Sequence, residues 1–144
     1  MSTPYGGLTG KTKTLGLDYS VAGLLAYLPI CCIGLIASLI WLFTEPKENK
    51  VLRFHSMQSL LLMALGLVCG VVLWILQITL MAGASATGSG AVGASAAGGS
   101  VLILLLQLLL SGVFLIVDIV AMVKAYQGQI WMIPVIGSIA DKNT

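Results

Sequence analysis

Three long apolar runs constrain this chain more than any other feature of its sequence. They cover 21–43, 51–81 and 101–123, and are 23, 31 and 23 residues long. At about 1.5 Å of helix per residue, each can cross a hydrocarbon core of about 30 Å. With 58% hydrophobic and only 8% charged residues, the composition lies outside the range of soluble domains. We therefore predict an all-α integral membrane bundle of three transmembrane helices, which forms one membrane domain over 1–144.

The segments beside these runs differ in character. Residues 1–20 form a polar amino-terminal tail, and residues 44–50 form a short charged connection with a proline, which predicts an antiparallel hairpin of the first two helices. Residues 82–100 contain Ala, Gly, Ser and Thr with one Val, a composition typical of a flexible linker, with a pore-lining or partner-binding loop as the alternative. Residues 129–140 are too short to span, so we predict an interfacial segment.

The distribution of Lys and Arg predicts the orientation. With three crossings, Lys11 and Lys13 lie on one side of the membrane, and the other side carries a larger group: Lys47, Lys50, Arg53, Lys124 and Lys142. The larger group marks the cytoplasmic side of a bacterial plasma membrane. The carboxyl terminus is therefore predicted to lie in the cytoplasm, and the amino terminus on the outer side. Lys11 and Lys13 also favour the cytoplasm, however. Only a first run that re-enters at Pro29 would satisfy every charge, and that run is too short to cross twice.

Small and polar residues recur at helical spacing in all three runs. They predict inward-facing stripes through which the helices approach one another closely. The glycines expected at these contacts are Gly23, Gly34, Gly66 and Gly70. Polar residues on the same stripes could instead line a polar path, and these are Gln77, Gln107 and Ser111. A compact bundle is favoured over a conducting path, because three helices alone enclose no useful pore.

Asp118 is the least expected residue, because a carboxylate within a transmembrane helix costs about 2.5 to 3.5 kcal/mol unless it is partnered or neutral. Its candidate partners are His55, Arg53 and Lys124, and we predict that it contacts His55 or Arg53 as a structural latch. This holds if the helices pair in the register that places Asp118 opposite Ser56. If the second helix rises fully before the chain turns, Asp118 lies near Ala64 and the pair is lost. The alternative to a latch is a proton relay through His55 and Asp118.

The residues that enzymes and metal sites need are sparse. One histidine cannot build a multi-histidine metal site, and no catalytic constellation is evident, so we expect no enzyme and no metal. Cys31 and Cys32 are adjacent and Cys69 lies on another helix, an arrangement typical of thiols that pack as small apolar groups. The one cofactor alternative is haem or chlorophyll bound through the imidazole of His55.

Several strings resemble a family of small uncharacterised prokaryotic integral membrane proteins. The family's first helix begins G-L-D-x-x-V-A-G-x-L-A-Y-L, its second begins R-F-H-A-M-Q-S, and its end reads A-Y-x-G followed by P-x-x-G-x-x-A. The matching segments here are 16–28, 53–59, 125–128 and 134–140. The chain departs from the pattern at Ser56, where Ala is usual, at Cys31 and Cys32, where Gly is common, and in its long Gly/Ala loop.

The resemblance implies a membrane protein more clearly than it implies an activity. The family is also distantly similar to the small Tic component of the chloroplast inner-envelope import machinery, a proposed channel component of four crossings. We therefore expect a non-enzymatic accessory or scaffold subunit that associates with a larger membrane complex or with itself. The alternative is a component of a protein-translocation or small-solute transport assembly. The expected partners are the lipid bilayer and other membrane subunits or copies of the chain, with no nucleic acid.

Overall fold

The fold is all-α in a computed structural model that describes residues 10–28, 32–87 and 90–144. The described residues contain one isolated β-bridge, between Lys11 and Asp18, and no strands. The helices, in chain order, are α1 (Tyr19–Ala26), α2 (Ile33–Thr44), α3 (Lys50–Thr87), α4 (Ala91–Tyr126) and α5 (Ile136–Lys142).

The first apolar run is not one helix, in contrast to the predicted crossing over 21–43. It contains α1, with 8 residues, and α2, with 12 residues. The chain leaves the helical conformation at Tyr27 and Leu28, directly before Pro29, and a proline disfavours helical geometry in the residue before it. Pro29 itself, where re-entry was considered, falls outside the described residues.

The close approach of α2 to the end of α1 depends on Gly34. A Cβ atom at this position would lie 2.7 Å from the carbonyl oxygen of Leu28 and 3.1 Å from that of Ala26. Both neighbours are main-chain atoms, which cannot rotate away as a side chain could. Glycine at position 34 therefore permits the two short helices to pack against each other.

The other two apolar runs form helices longer than predicted. α3 has 38 residues and α4 has 36, so the described parts of 82–100 are largely helical and not a flexible linker. The seven alanines of this segment favour a helix, since alanine has the highest helix propensity, whereas its six glycines oppose one. The segments Lys50–Gly83 and Ala97–Tyr126 are long and apolar enough to cross a membrane. The described residues thus contain two candidate spans, and a third is not confirmed.

The chain divides into two compact units. The first unit comprises 1–64 and 116–144, and the second comprises 65–115. The core of the first unit is built from small and aromatic side chains that are almost completely buried: Ala22, Ala26, Tyr27, Trp41, Leu52, Ala121 and Ala125.

Within the second unit, α3 and α4 are antiparallel. A Cβ atom on Gly66 would lie 3.6 Å from the ring of Phe114, and one on Gly99 would lie 3.4 Å from Leu80. Residue numbers therefore rise along one helix as they fall along the other.

The carboxyl-terminal segment contains a tight turn and a short helix. The main-chain N–H of Ile136 donates to the carbonyl oxygen of Pro134 at 2.9 Å, which closes a γ-turn around Val135. Val135 has a φ of 70°, in a region that branched side chains rarely adopt. α5 follows directly, so the predicted interfacial segment 129–140 is partly helical.

Candidate functional site

A buried polar cluster lies in the first unit. It combines the first turns of α3, where the sequence concentrates polar residues, with side chains from α2 and the end of α1. Its members are at most 1% exposed: Tyr27, Ser38, His55, Ser56, Gln58 and Ser59. So many buried polar groups require hydrogen-bond partners, because an unpaired one costs about 1 to 3 kcal/mol.

His55 is held at both ring nitrogens. Its Nε2 lies 3.2 Å from the carbonyl oxygen of Gln129, and its Nδ1 lies 3.2 Å from the Tyr27 hydroxyl. A carbonyl oxygen only accepts, so Nε2 carries the proton, and in the neutral imidazole Nδ1 then accepts from the Tyr27 hydroxyl. Ligation of haem or chlorophyll through His55 would require one of these hydrogen bonds to break.

Aromatic rings also fix the imidazole of His55. The Tyr27 ring centroid is 5.8 Å away and the Phe54 centroid is 5.5 Å away, and both pairs meet edge to face. This geometry suits the ring quadrupoles. The imidazole therefore has a defined orientation as well as defined hydrogen bonds.

Gln58 lies one turn after His55 on α3 and also contacts the segment that follows α4. Its Nε2 donates to the carbonyl oxygen of Trp131 at 3.2 Å. Two side chains of α3 thus bind two carbonyls of the extended segment after α4, which anchors that segment. The Gln58 Oε1 and the Ser56 Oγ have no hydrogen-bond partner among the described residues.

Two serines join the other elements of the cluster. The hydroxyls of Ser38 on α2 and Ser59 on α3 are 2.7 Å apart, and Ser38 Oγ donates to the carbonyl oxygen of Ala26 at 3.2 Å. Ala26 is the last residue of α1, where carbonyl groups lack helical partners. Ser38 therefore provides a hydrogen-bond partner for the last carbonyl of α1, and it also connects α2 to α3.

Arg53 and Glu45 form a second polar contact at the end of α2. Arg53 Nη1 donates to the carbonyl oxygens of Leu42 at 2.7 Å and Glu45 at 3.1 Å, where a cation is favoured by the helix dipole. The Glu45 side chain is 3% exposed and accepts from the main-chain N–H of Lys13 at 2.8 Å and from Asn49 Nδ2 at 3.3 Å. Sequence reasoning missed Glu45, because a charged residue in a short connection carries no local sign of burial.

The structure does not bring Asp118 into the predicted latch. His55 and Arg53 have the partners described above, and no hydrogen bond or ion pair among residues 10–28, 32–87 and 90–144 joins either of them to Asp118. Asp118 is partly buried. The Tyr27 hydroxyl bonds to His55 and was not singled out by sequence reasoning.

The four predicted packing glycines behave differently from one another. A Cβ atom on Gly23 would lie 3.2 Å from that of Ala125, so Gly23 permits α1 and α4 to approach closely, as Gly34 does for α2. Gly66 has an ordinary contact distance to a neighbouring ring, and Gly70 has nothing within 4 Å. Close packing at glycine is therefore a property of the first unit.

The predicted polar path residues are not joined by any described hydrogen bond. Gln107 and Ser111 are exposed, and Ser111 Oγ donates to the carbonyl oxygen of Leu108 in its own helix. Gln77 is partly buried, and its Oε1 has no partner among the described residues. The described part of the chain contains no group of three or more potential metal ligands, and its cysteines, Cys32 and Cys69, are free.

Comparison with known proteins places this chain in a family. Residues 15–140 match the MamF_MmsF family, a magnetosome magnetite crystal formation protein family. The chain belongs to this family. The matched range includes every member of the buried polar cluster and the anchored segment after α4.

Two relatives of this MamF_MmsF family member are named as membrane proteins. UPF0132 membrane protein MJ1443 of Methanocaldococcus jannaschii is 35% identical over 137 residues, which cover 92% of this chain and 94% of the relative. UPF0132 membrane protein MJ1527 of the same organism is 31% identical over 133 residues, which cover 92% and 74%. No solved structure matches. The coarse prediction, a helical membrane protein of a prokaryotic family, is confirmed.

Proposed function

We propose that this protein is a non-enzymatic scaffold subunit of the bacterial plasma membrane, with its carboxyl terminus in the cytoplasm. It would associate through its two long helices with copies of itself or with a larger membrane complex. The observation that carries the proposal is a contrast in exposure. The polar groups of the first unit bind mainly one another and main-chain carbonyls, whereas the apolar segments of α3 and α4 expose most of their aliphatic side chains.

Exposed aliphatic side chains can pack against lipid or against another helix, so they do not distinguish the two. A polar residue on the same surface does distinguish them. Gln107 on α4 is exposed, and it forms no hydrogen bond among the described residues. Its neighbours Leu106 and Leu108 are 50% and 68% exposed. An amide in a hydrocarbon environment gains by bonding to an amide or carbonyl of a neighbouring helix. Gln107 therefore supports association with a second transmembrane helix.

The family supports a role in an assembly. Its description concerns the formation of a crystal in a magnetosome, and the two relatives are named only as membrane proteins. For this chain we carry over the membrane environment and participation in a larger structure. A transport role remains the second candidate, since Gln77 has an unpartnered oxygen in an apolar helix.

Extraction in a mild detergent tests the scaffold role. Light scattering after size-exclusion chromatography, with mass spectrometry of the eluted species, should show more than one copy or a stoichiometric partner. Gln107→Leu should weaken the association about three- to tenfold, the effect of one interhelical hydrogen bond of about 1 kcal/mol. Leu108→Ile is the matched control and should leave association unchanged. A monomer without partners would contradict the proposal, and solute flux in proteoliposomes would favour transport.

A further inference from the structure

The two segments that flank the first apolar run are in contact. The main-chain N–H of Lys13, before α1, donates to the Glu45 carboxylate, after α2, at 2.8 Å. If residues 21–43 crossed the membrane as one helix, the ends of that run would be about 34 Å apart at about 1.5 Å per residue. Lys13 lies close to the start of α1, because the N–H of Thr12 donates to Leu17 at 2.7 Å and that of Tyr19 donates to Gly10 at 3.1 Å. Its contact with Glu45 is therefore incompatible with that crossing. Both ends of the run must therefore lie on the same side of a membrane.

A contact within the run shows that α1 and α2 are not one continuous helix. Ser38, in the middle of α2, donates to the carbonyl oxygen of Ala26, the last residue of α1, at 3.2 Å. Along one continuous helix these residues would be separated by about 18 Å. Because Gly34 and Ser38 both lie against the end of α1, α2 packs on α1 and does not continue it.

Neither short helix can cross a membrane alone. With 8 and 12 residues, α1 and α2 are about 12 and 18 Å long, and a crossing needs about 30 Å. A broken helix at membrane depth requires partners for its free main-chain groups. They are present here, since Ser38 binds the Ala26 carbonyl, and the N–H groups of Tyr27 and Leu28 donate to Leu24 and Leu25. The geometry therefore suits a segment that enters a membrane and returns.

The charges point to the same topology. Between Arg53 and Asp118 the sequence has no Lys, Arg, Asp or Glu, and all seven Lys and Arg lie outside that stretch. If the chain crosses the membrane only through α3 and α4, then α3 leaves the side that carries the charged residues and α4 returns to it. Lys11 and Lys13 then join the other five cations, and the conflict between the two ends of the first run disappears.

We infer that α1 and α2 form a re-entrant hairpin, and that the chain crosses the membrane twice, through α3 and α4, with all its Lys and Arg on the cytoplasmic leaflet. Five of these cations have exposed side chains and are available to anionic lipid headgroups: Lys11, Lys13, Lys47, Lys50 and Lys142. Positive charge is retained in the cytoplasm, and anionic headgroups attract basic segments next to the membrane. This topology does not depend on the scaffold role.

Labelling of single cysteines tests the topology in the full chain. In a variant with Cys31, Cys32 and Cys69 replaced by alanine, one exposed position at a time is changed: Thr14→Cys, Lys47→Cys, Gly90→Cys or Asn143→Cys. A membrane-impermeant maleimide is applied to intact spheroplasts and to permeabilised ones. We expect Gly90→Cys to be labelled in intact spheroplasts, and the other three only after permeabilisation.

Thr14→Cys is the decisive position. Three crossings place it on the outer side with residue 90, whereas the re-entrant hairpin places it inside with Lys47. Labelling of Thr14→Cys in intact spheroplasts, with Lys47→Cys protected, would overturn the hairpin. Labelling of Lys47→Cys and Asn143→Cys in intact spheroplasts would overturn the assignment of the cations to the cytoplasmic leaflet. Normal membrane levels of each variant, measured by immunoblot, show that labelling reports on the folded protein.

Discussion

The two units of the molecule use opposite means to hold helices together. The first unit contains all seven cations and all five acidic residues of the chain, and its helices are joined by buried hydrogen bonds. The second unit contains no charged residue, and its two helices meet through apolar contacts such as Gly66 with Phe114. Directional bonds select one arrangement of elements, whereas apolar contacts in a lipid environment select it only weakly. The first unit therefore defines the fold, and the second provides apolar surface.

The largest effect should follow from adding one methyl group where the first unit is most tightly packed. Gly34→Ala places a Cβ atom against the main-chain oxygens of Leu28 and Ala26, so α1 and α2 must separate. We expect the free energy of unfolding to fall by about 1 to 3 kcal/mol or more. Denaturation in detergent micelles, followed by circular dichroism, measures the change.

Gly70→Ala is the matched control in the second unit. Nothing lies within 4 Å of its added Cβ, and alanine favours the helix by up to about 1 kcal/mol. The two substitutions should therefore have opposite signs. Equal destabilisation by both would show that the units do not differ in packing as described.

A smaller loss is expected from His55→Leu, which removes the hydrogen bonds to Tyr27 and Gln129 and leaves the buried Tyr27 hydroxyl without this partner. The cost should be about 1 to 3 kcal/mol, and the segment after α4 should become more mobile. Hydrogen–deuterium exchange of residues 129–142 should increase in this variant. Ser111→Ala, which removes an exposed hydroxyl bonded within its own helix, should leave that exchange unchanged. Equal protection of the segment in both variants would show that His55 does not anchor it.

The smallest effect should be a gain in stability. Val135→Gly removes a branched side chain from a φ of 70°, which should raise the free energy of unfolding by up to about 1 to 2 kcal/mol. Val68 in α3 is also exposed, and Val68→Gly should lower stability by roughly 0.5 to 1 kcal/mol. Thermal denaturation of the two variants gives the signs. A loss of stability in Val135→Gly would mean that the γ-turn is not strained.

The sequence predicts the class of this fold, and it concentrates polar residues where α3 begins. Long apolar runs require helices in a membrane, and the polar residues at the start of α3 are members of the buried cluster. The strings that resemble a prokaryotic membrane family fall within the segment that matches one. Each of these features depends on residues that are close together in the sequence, so a sequence pattern can predict it.

Other features depend on contacts between distant residues. The first run is hydrophobic throughout, so its composition does not reveal the reversal. The sequence signals of this reversal are Pro29 and the two lysines before α1, Lys11 and Lys13. The partners of His55 follow from where the segment after α4 returns to α3, which no spacing along the chain gives. Asp118 illustrates the same point, because the register of α3 and α4 depends on where a helical Ala/Gly segment turns.

The segment after α4 is bound in a way that leaves its own side chains free to vary. His55 and Gln58 bind the carbonyl oxygens of Gln129 and Trp131, and every amino acid supplies such an oxygen. The Gln129 side chain is exposed and accepts a hydrogen bond from Lys124 Nζ at 2.9 Å. Position 129 can therefore diverge among relatives, and with it the surface shown to other molecules, while the attachment to α3 is preserved.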